Sequence, residues 1–199
     1  MSGTAVVTGA SSGLGFEIAA LLRERAIKVI GVSRRGLDIR GDASRRETAI
    51  AALRAAGDAK LLVNCAGVGI FHPAGAYAPR EIDEVLGANL VSMIQFCEVF
   101  VGRVATIVNV RSTAALAGKP GETVYCAAKW GARGYTEALR AERKDTRVIA
   151  VYPGGMKTPF WASDPQRAAN FMDPKEIAAK IVEAIFESDA TELVLRRGN

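Results

Sequence analysis

TAVVTGASSGLG, residues 4–15, sets a short apolar run directly before a glycine-rich turn and the start of a helix. Thr4–Thr8 is β-branched and apolar without alternation, which reads as a strand buried on both faces. Leu14–Arg25 follows with Ile18, Leu21 and Leu22 at helical spacing. The same alternation continues along the chain. Strands are expected at Lys28–Val32, Leu61–Asn64, Val104–Val110, Arg147–Tyr152 and Glu192–Leu195. Helices are expected at Ser44–Ala56, Arg80–Phe100, Thr123–Arg143 and Pro174–Glu187. Ser44, with Glu47 three residues on, reads as a helix cap, and Asp173 before Pro174 as another. Ser33–Asp42 (SRRGLDIRGD) is too short for a strand–helix–strand passage. A helix is missing there, leaving room for one short strand near Leu37–Ile39.

Strands separated by helices imply right-handed crossovers and a sheet covered on both faces. The expected class is α/β: one doubly wound Rossmann domain over residues 1–199, with about seven mostly parallel strands. The 199 residues, 49% apolar and 24% charged, suit one domain with a sizeable core and argue against disorder. No run of 18 apolar residues occurs, so no membrane helix is expected. A strand beginning by Ala5 leaves no room for a secretory leader. Cys65, Cys97 and Cys126 are odd in number and lack CxxC spacing, so neither a disulfide framework nor a metal site is expected, and a cytoplasmic setting fits. A formal charge of +5 is modest and carries no nucleic-acid motif; it suits an anionic small ligand better. His72, the only histidine, reads as a surface loop residue.

The turn at Thr8–Gly15 follows a strand and opens a helix. Its glycines let backbone approach a pyrophosphate, and the helix N-terminus offers free N–H groups and a positive dipole end. The spacing is not GxGxxG, and no P-loop lysine is present. Ser33, Arg34 and Arg35 end the second strand, where a dinucleotide's adenosine ribose lies. Arginine there suits a 2′-phosphate through forked, charge-assisted hydrogen bonds. NADP(H) is therefore the expected cofactor, with NAD(H) second; a solvated arginine pair is the plain alternative.

Tyr125 and Lys129 lie at i and i+4 on a helix, so their side chains can share a site. An ammonium about 4 Å from a phenolate is worth roughly 4 kcal/mol at an effective dielectric of ~20, before desolvation. Such a pair suits acid–base work by a phenol. Ser112 lies just past the strand Val104–Val110, and Asn64 ends another strand. Asn89 lies inside a long helix, where its propensity gives it no reason to be. Each alone has an ordinary structural reading.

Together, TGASSGLG, NCAG, Asn89, Ser112 thirteen positions before Tyr125, YCAAK and PGGMKT resemble a classical short-chain dehydrogenase/reductase, from about Thr4 to Thr158. The resemblance implies an NADP-dependent carbonyl reductase or alcohol dehydrogenase, acting on a small carbonyl or alcohol. Tyr125 would be the general acid, Ser112 would hold the substrate oxygen, Lys129 would lower the Tyr125 pKa and hold the nicotinamide ribose, and Asn89 would position a relay water. Gly9, Ser11, Ser12, Gly13, Leu14 and Gly15 would wrap the phosphates. Asn64, Ala66 and Gly67 would line the adenosine ribose side. Pro153, Gly154, Met156 and Thr158 would hold the carboxamide end. Asp42, with Ala43, is preferred over Asp38 for the adenine. Leu116, Ala117 and Gly118 would edge the substrate pocket, and Phe160 and Trp161 either form an apolar lid or pack their own loop. The family likeness also implies a homodimer or homotetramer paired through helices 80–100 and 124–143. Cys65 stands where the family often has asparagine. A dinucleotide-binding sensor or scaffold without turnover is the second reading, and intact Ser112, Tyr125 and Lys129 argue against it.

Overall fold

The structure, a computed structural model, describes residues 3–162 and 164–197. Strands β1 (Thr4–Thr8), β2 (Lys28–Ser33), β3 (Ile39–Arg40), β4 (Ala59–Asn64), β5 (Thr106–Val110), β6 (Arg147–Pro153) and β7 (Glu192–Leu195) form one sheet. Its order is β3-β2-β1-β4-β5-β6-β7, and every pairing is parallel, where a mostly parallel sheet was expected. Helices α1 (Gly13–Glu24), α2 (Arg46–Ala56), α3 (Pro79–Leu86), α4 (Ser92–Phe100), α5 (Thr123–Glu142), α6 (Pro165–Ala168) and α7 (Pro174–Glu187) accompany it.

Strand periodicity explains the two-sided core. Ile30, Val6, Leu62, Ile107 and Val148 stand in register across five strands. All five face α2, α4 and α5, where Phe96 and Phe100 cover them. Their neighbours Ala5, Val7, Val108 and Val151 point to the opposite face, against Ile18 and Leu22 of α1 and Ile181 of α7. Full burial of each valine, leucine or isoleucine among them is worth roughly 1.5–3 kcal/mol. Chain order reverses between β1 and β4, which opens a crevice at the carboxyl ends of the strands.

Three local expectations need correction. The helix expected over 80–100 is two helices joined by a π turn, Gly87–Val91. Its cause is visible at Asn89, whose Nδ2 donates to the Val85 carbonyl at 2.9 Å, the acceptor one helical turn back, and to Val68 O at 2.8 Å. Ser44 does not cap α2. The Asp42 carboxylate takes both its N–H (2.9 Å) and its hydroxyl (2.8 Å), and Arg45 is the cap residue. The short third strand falls at Ile39–Arg40 rather than 37–39. No helix lies between β2 and β3, in keeping with the short segment. Asp173 caps α7 by accepting from Lys175 N at 2.8 Å.

Candidate active site

The glycine turn is shaped by close backbone approach. Gly9 has φ +69, and a Cβ there would stand 2.9 Å from Ala66 Cα. A Cβ on Gly15 would stand 2.4 Å from Gly9 O. Thr8 Oγ1 accepts from Cys65 N (3.0 Å) and Ala66 N (3.1 Å), locking the β1 turn to the end of β4. Ser12 begins α1 with no side-chain cap. The first turn of α1, Gly13 to Gly15, borders the crevice, where free N–H groups suit an anion.

A cleft of about 580 Å³ runs along the carboxyl ends of the strands. It is bordered by every catalytic and cofactor-binding candidate named from the sequence except Asn64. Asn64 turns under the sheet, donating to Asn109 Oδ1 (2.9 Å) and Cys97 Sγ (3.3 Å), because alternate residues of a strand point to opposite faces. Leu116, Ala117 and Gly118 also stand off the cleft; Leu116 packs against Ala115, Ala150 and Tyr152, while Lys119 reaches the border instead.

At one end lie Ser33, Arg34, Arg35, Asp42 and Ala43. Arg34 Nη1 contacts Glu84 Oε1 at 3.2 Å across the mouth, with both side chains largely solvated. Asp42 borders this end, whereas Asp38 is absent from it and accepts from Gly31 N at 2.8 Å. Burial alone would raise the Asp42 pKa. The bonds from Ser44 and the charges of Arg34 and Arg45 outweigh it and hold the carboxyl below its ordinary value.

At the other end lie Ser112, Tyr125, Lys129 and Asn89, all buried. Ser112 opens a short turn after β5, with its Oγ accepting from Ala114 N at 3.1 Å. Tyr125 and Lys129 sit one turn apart on α5, the ammonium 5.3 Å from the phenol ring centre. Burial pushes the Tyr125 pKa up, opposed by a hydrogen bond with Ser112. On the phenol, which is neutral when protonated, desolvation outweighs that bond. Burial instead moves Lys129 down to about 8, with Cys65 opposing and Arg111 reinforcing the shift. Among the described residues, Asn89 Oδ1 is buried without a hydrogen-bond partner. A Cβ at Gly67 would lie 2.7 Å from that oxygen and 3.8 Å from Lys129 Nζ, so the bare glycine lets both atoms approach one point.

Sequence reasoning missed two buried charges here. Arg111, 2% exposed and directly before Ser112, has no hydrogen-bond partner on Nε, Nη1 or Nη2 among the described residues and lies 4.6 Å from the Tyr152 ring centre. Burial lowers it to about 10. Glu122, also 2% exposed, pairs with Arg167. Burial cannot be read from either residue type, and the only signal was proximity to Ser112 and Tyr125. His72 bonds Glu81 at 3.3 Å, away from the cleft, and Cys126 packs beside Val85 and Ala114.

The family model for the short chain dehydrogenase matches residues 34–169. A 3-oxoacyl-[acyl-carrier-protein] reductase of Vibrio cholerae is 31% identical over 89% of this chain and 87% of its own length. A sepiapterin reductase of Chlorobaculum tepidum is 30% identical over 68% of this chain and 60% of its own length. Among solved structures, a 3-ketoacyl-(acyl-carrier-protein) reductase from Brucella melitensis complexed with NADH superposes with a TM-score of 0.84. It is 25% identical and covers 98% of this chain and 97% of that one.

Proposed function

This chain belongs to the short-chain dehydrogenase/reductase family of oxidoreductases, and from that premise we propose that it is an NADP(H)-dependent reductase of a small carbonyl compound. The observation that carries the reading is the convergence of Ser112, Tyr125, Lys129 and Asn89 on the buried end of one cleft. The other end of that cleft is a glycine cradle with an uncapped helix N-terminus. That cradle fits a dinucleotide pyrophosphate, and the orphan Asn89 Oδ1 fits a water beside Lys129.

The bound nicotinamide supplies hydride chemistry; the residues of this chain supply binding, orientation and a proton. Ser112 donates its hydroxyl to the substrate oxygen and fixes the carbonyl beside Tyr125. The Tyr125 phenol, held protonated by burial, gives its proton to that oxygen as negative charge develops on it. Lys129, cationic below about pH 8, stabilises the phenolate that remains. Asn89 accepts a hydrogen bond from a water that returns a proton through Lys129. Ser33, Arg34 and Arg35 border the adenosine end, where a 2′-phosphate would meet two guanidinium groups.

Titration with NADPH and, separately, with NADH, followed by nicotinamide fluorescence, tests the reading. Tighter binding of NADPH is expected. Preference for NADH would assign the short 33–42 segment to a free ribose hydroxyl, and binding of neither would overturn the enzyme reading.

A further inference from the structure

The catalytic end of the cleft is walled by aromatic rings that the reaction chemistry does not itself require. Phe160 and Trp161 follow β6 and border the cleft half-buried. Phe160 meets the Tyr125 ring edge-on at 5.7 Å, and Trp161 meets Phe160 at 5.2 Å. Behind them, outside the cleft border, Phe71 stacks on Trp161 at 5.1 Å and meets Tyr125 edge-on at 5.5 Å. The Arg167 guanidinium lies 4.7 Å from the Trp161 ring centre and 5.3 Å from that of Phe71, and pairs with the buried Glu122 carboxylate. Three segments are thereby pinned together beside Tyr125: the loop after β4, the start of α5 and the loop after β6.

Gly69 is what lets the rings close up. A Cβ there would lie 2.5 Å from Phe160 Cε1 and 2.8 Å from Phe71 Cε2. The ring faces of Phe160 and Trp161 form an apolar surface on this part of the cleft border. A hydroxyl-rich substituent placed against it would lose its water without gaining partners. A flat ring would keep edge-to-face and stacked contacts with both.

We propose that the substituent beside the substrate's carbonyl is a planar aromatic ring, held against Phe160 and Trp161, and that these two residues set substrate specificity. This rests on the carbonyl-reductase reading above. Phe71, Arg167 and Glu122 are positioning residues that hold the pair in place, and Gly69 is the gap that admits them.

The test compares acetophenone with cyclohexyl methyl ketone, which differ in ring planarity and aromaticity at similar size. Oxidised NADP+ cannot reduce a ketone, so binding to the NADP+-loaded protein is a dead-end equilibrium. Ligand-observed NMR titration reads its Kd. Acetophenone is expected to bind about three- to tenfold more tightly. The Phe160→Leu, Trp161→Leu double variant is expected to bring the ratio close to one, and Gly69→Ala, which displaces both Phe160 and Phe71, to lower it. A wild-type ratio near one, or a ratio unchanged in these variants, overturns the inference. So does failure of both ketones to bind the loaded protein. Failure of NADP+ itself to bind overturns the proposed function, and that titration is read first, so the two failures are told apart.

Discussion

The two ends of the cleft handle charge in opposite ways. At the adenosine end, Arg34 and Glu84 meet with 60% and 44% of their side chains exposed. Water screens them, and such a pair is worth about 0–1 kcal/mol. At the catalytic end, Lys129 and Arg111 are 4% and 2% exposed, and no carboxylate is paired with either among the described residues. A buried cation without a partner costs several kcal/mol. One end therefore reads its ligand with groups that are cheap to hold and weak individually. The other holds its groups at a cost to folding, and changes there act strongly.

The largest effect is expected from Tyr125→Phe, which removes the proposed proton donor and leaves the ring packing intact. Turnover should fall by about 10²–10⁴ while NADPH affinity stays within twofold. Steady-state rates and fluorescence titration check the two halves separately, and a substantial residual rate would remove Tyr125 as the acid.

Lys129→Met comes next, and it should separate stability from function. The folded Lys129 is lowered to about 8, against about 10.4 in an unfolded chain. Between those values the unfolded state binds more protons, so this group's contribution to stability rises with pH from about 8 to about 10.4. Below about pH 8 the burial penalty is fully present. Removing the ammonium should therefore stabilise the protein at pH 7 by roughly 1–4 kcal/mol, several degrees in Tm by calorimetry. The same variant should lose most reductase activity. In the wild type, reduction should decline as pH rises through about 8, where Lys129 loses its charge. A lowered Tm in the variant would mean that Lys129 is paired in solution.

Smaller effects are expected where water screens. Arg34→Ala should weaken NADPH about three- to tenfold and NADH less than twofold, since Arg34 is well exposed. Equal losses would show that Arg34 does not meet the 2′-phosphate. Glu84→Gln frees Arg34 from its counter-ion and should tighten NADPH by up to about threefold, leaving NADH unchanged. Weakened NADPH in that variant would show Glu84 positioning Arg34 rather than competing for it.

The same contrast explains what could be read from the sequence. β1 was legible because a strand buried on both faces leaves an unbroken apolar run, and TAVVT is one. The glycine turn was legible because each glycine answers a steric need. The π turn at Gly87–Val91 was not. Apolar residues continue through Leu86, Leu90 and Met93, and one extra residue in a turn leaves no mark on that pattern. Asn64 could be placed at a strand end, but not on the cleft or core face, which depends on a one-residue phase. Ser44 failed as a cap because Asp42, two residues earlier, competes for its N–H and hydroxyl. Arg111 and Glu122 were invisible because their burial is set by how the loops after β5 and β6 pack together.

The missing helix between β2 and β3 has a consequence of a different kind. β3 pairs with β2 only at Val32 and Ser33, so among the described residues Lys28–Gly31 have no strand neighbour on that side. Such an open strand margin is a template on which a second chain can add and begin a fibril. Here Asp38 fills the place of the lost neighbour, its carboxylate taking the Gly31 N–H at 2.8 Å. With the exposed Lys28 at the far end of the gap and the exposed Arg40 opposite Ser33, it makes that margin charged and partly saturated. Asp38, which does not border the cleft, thus saturates one backbone group on a sheet edge that would otherwise be open.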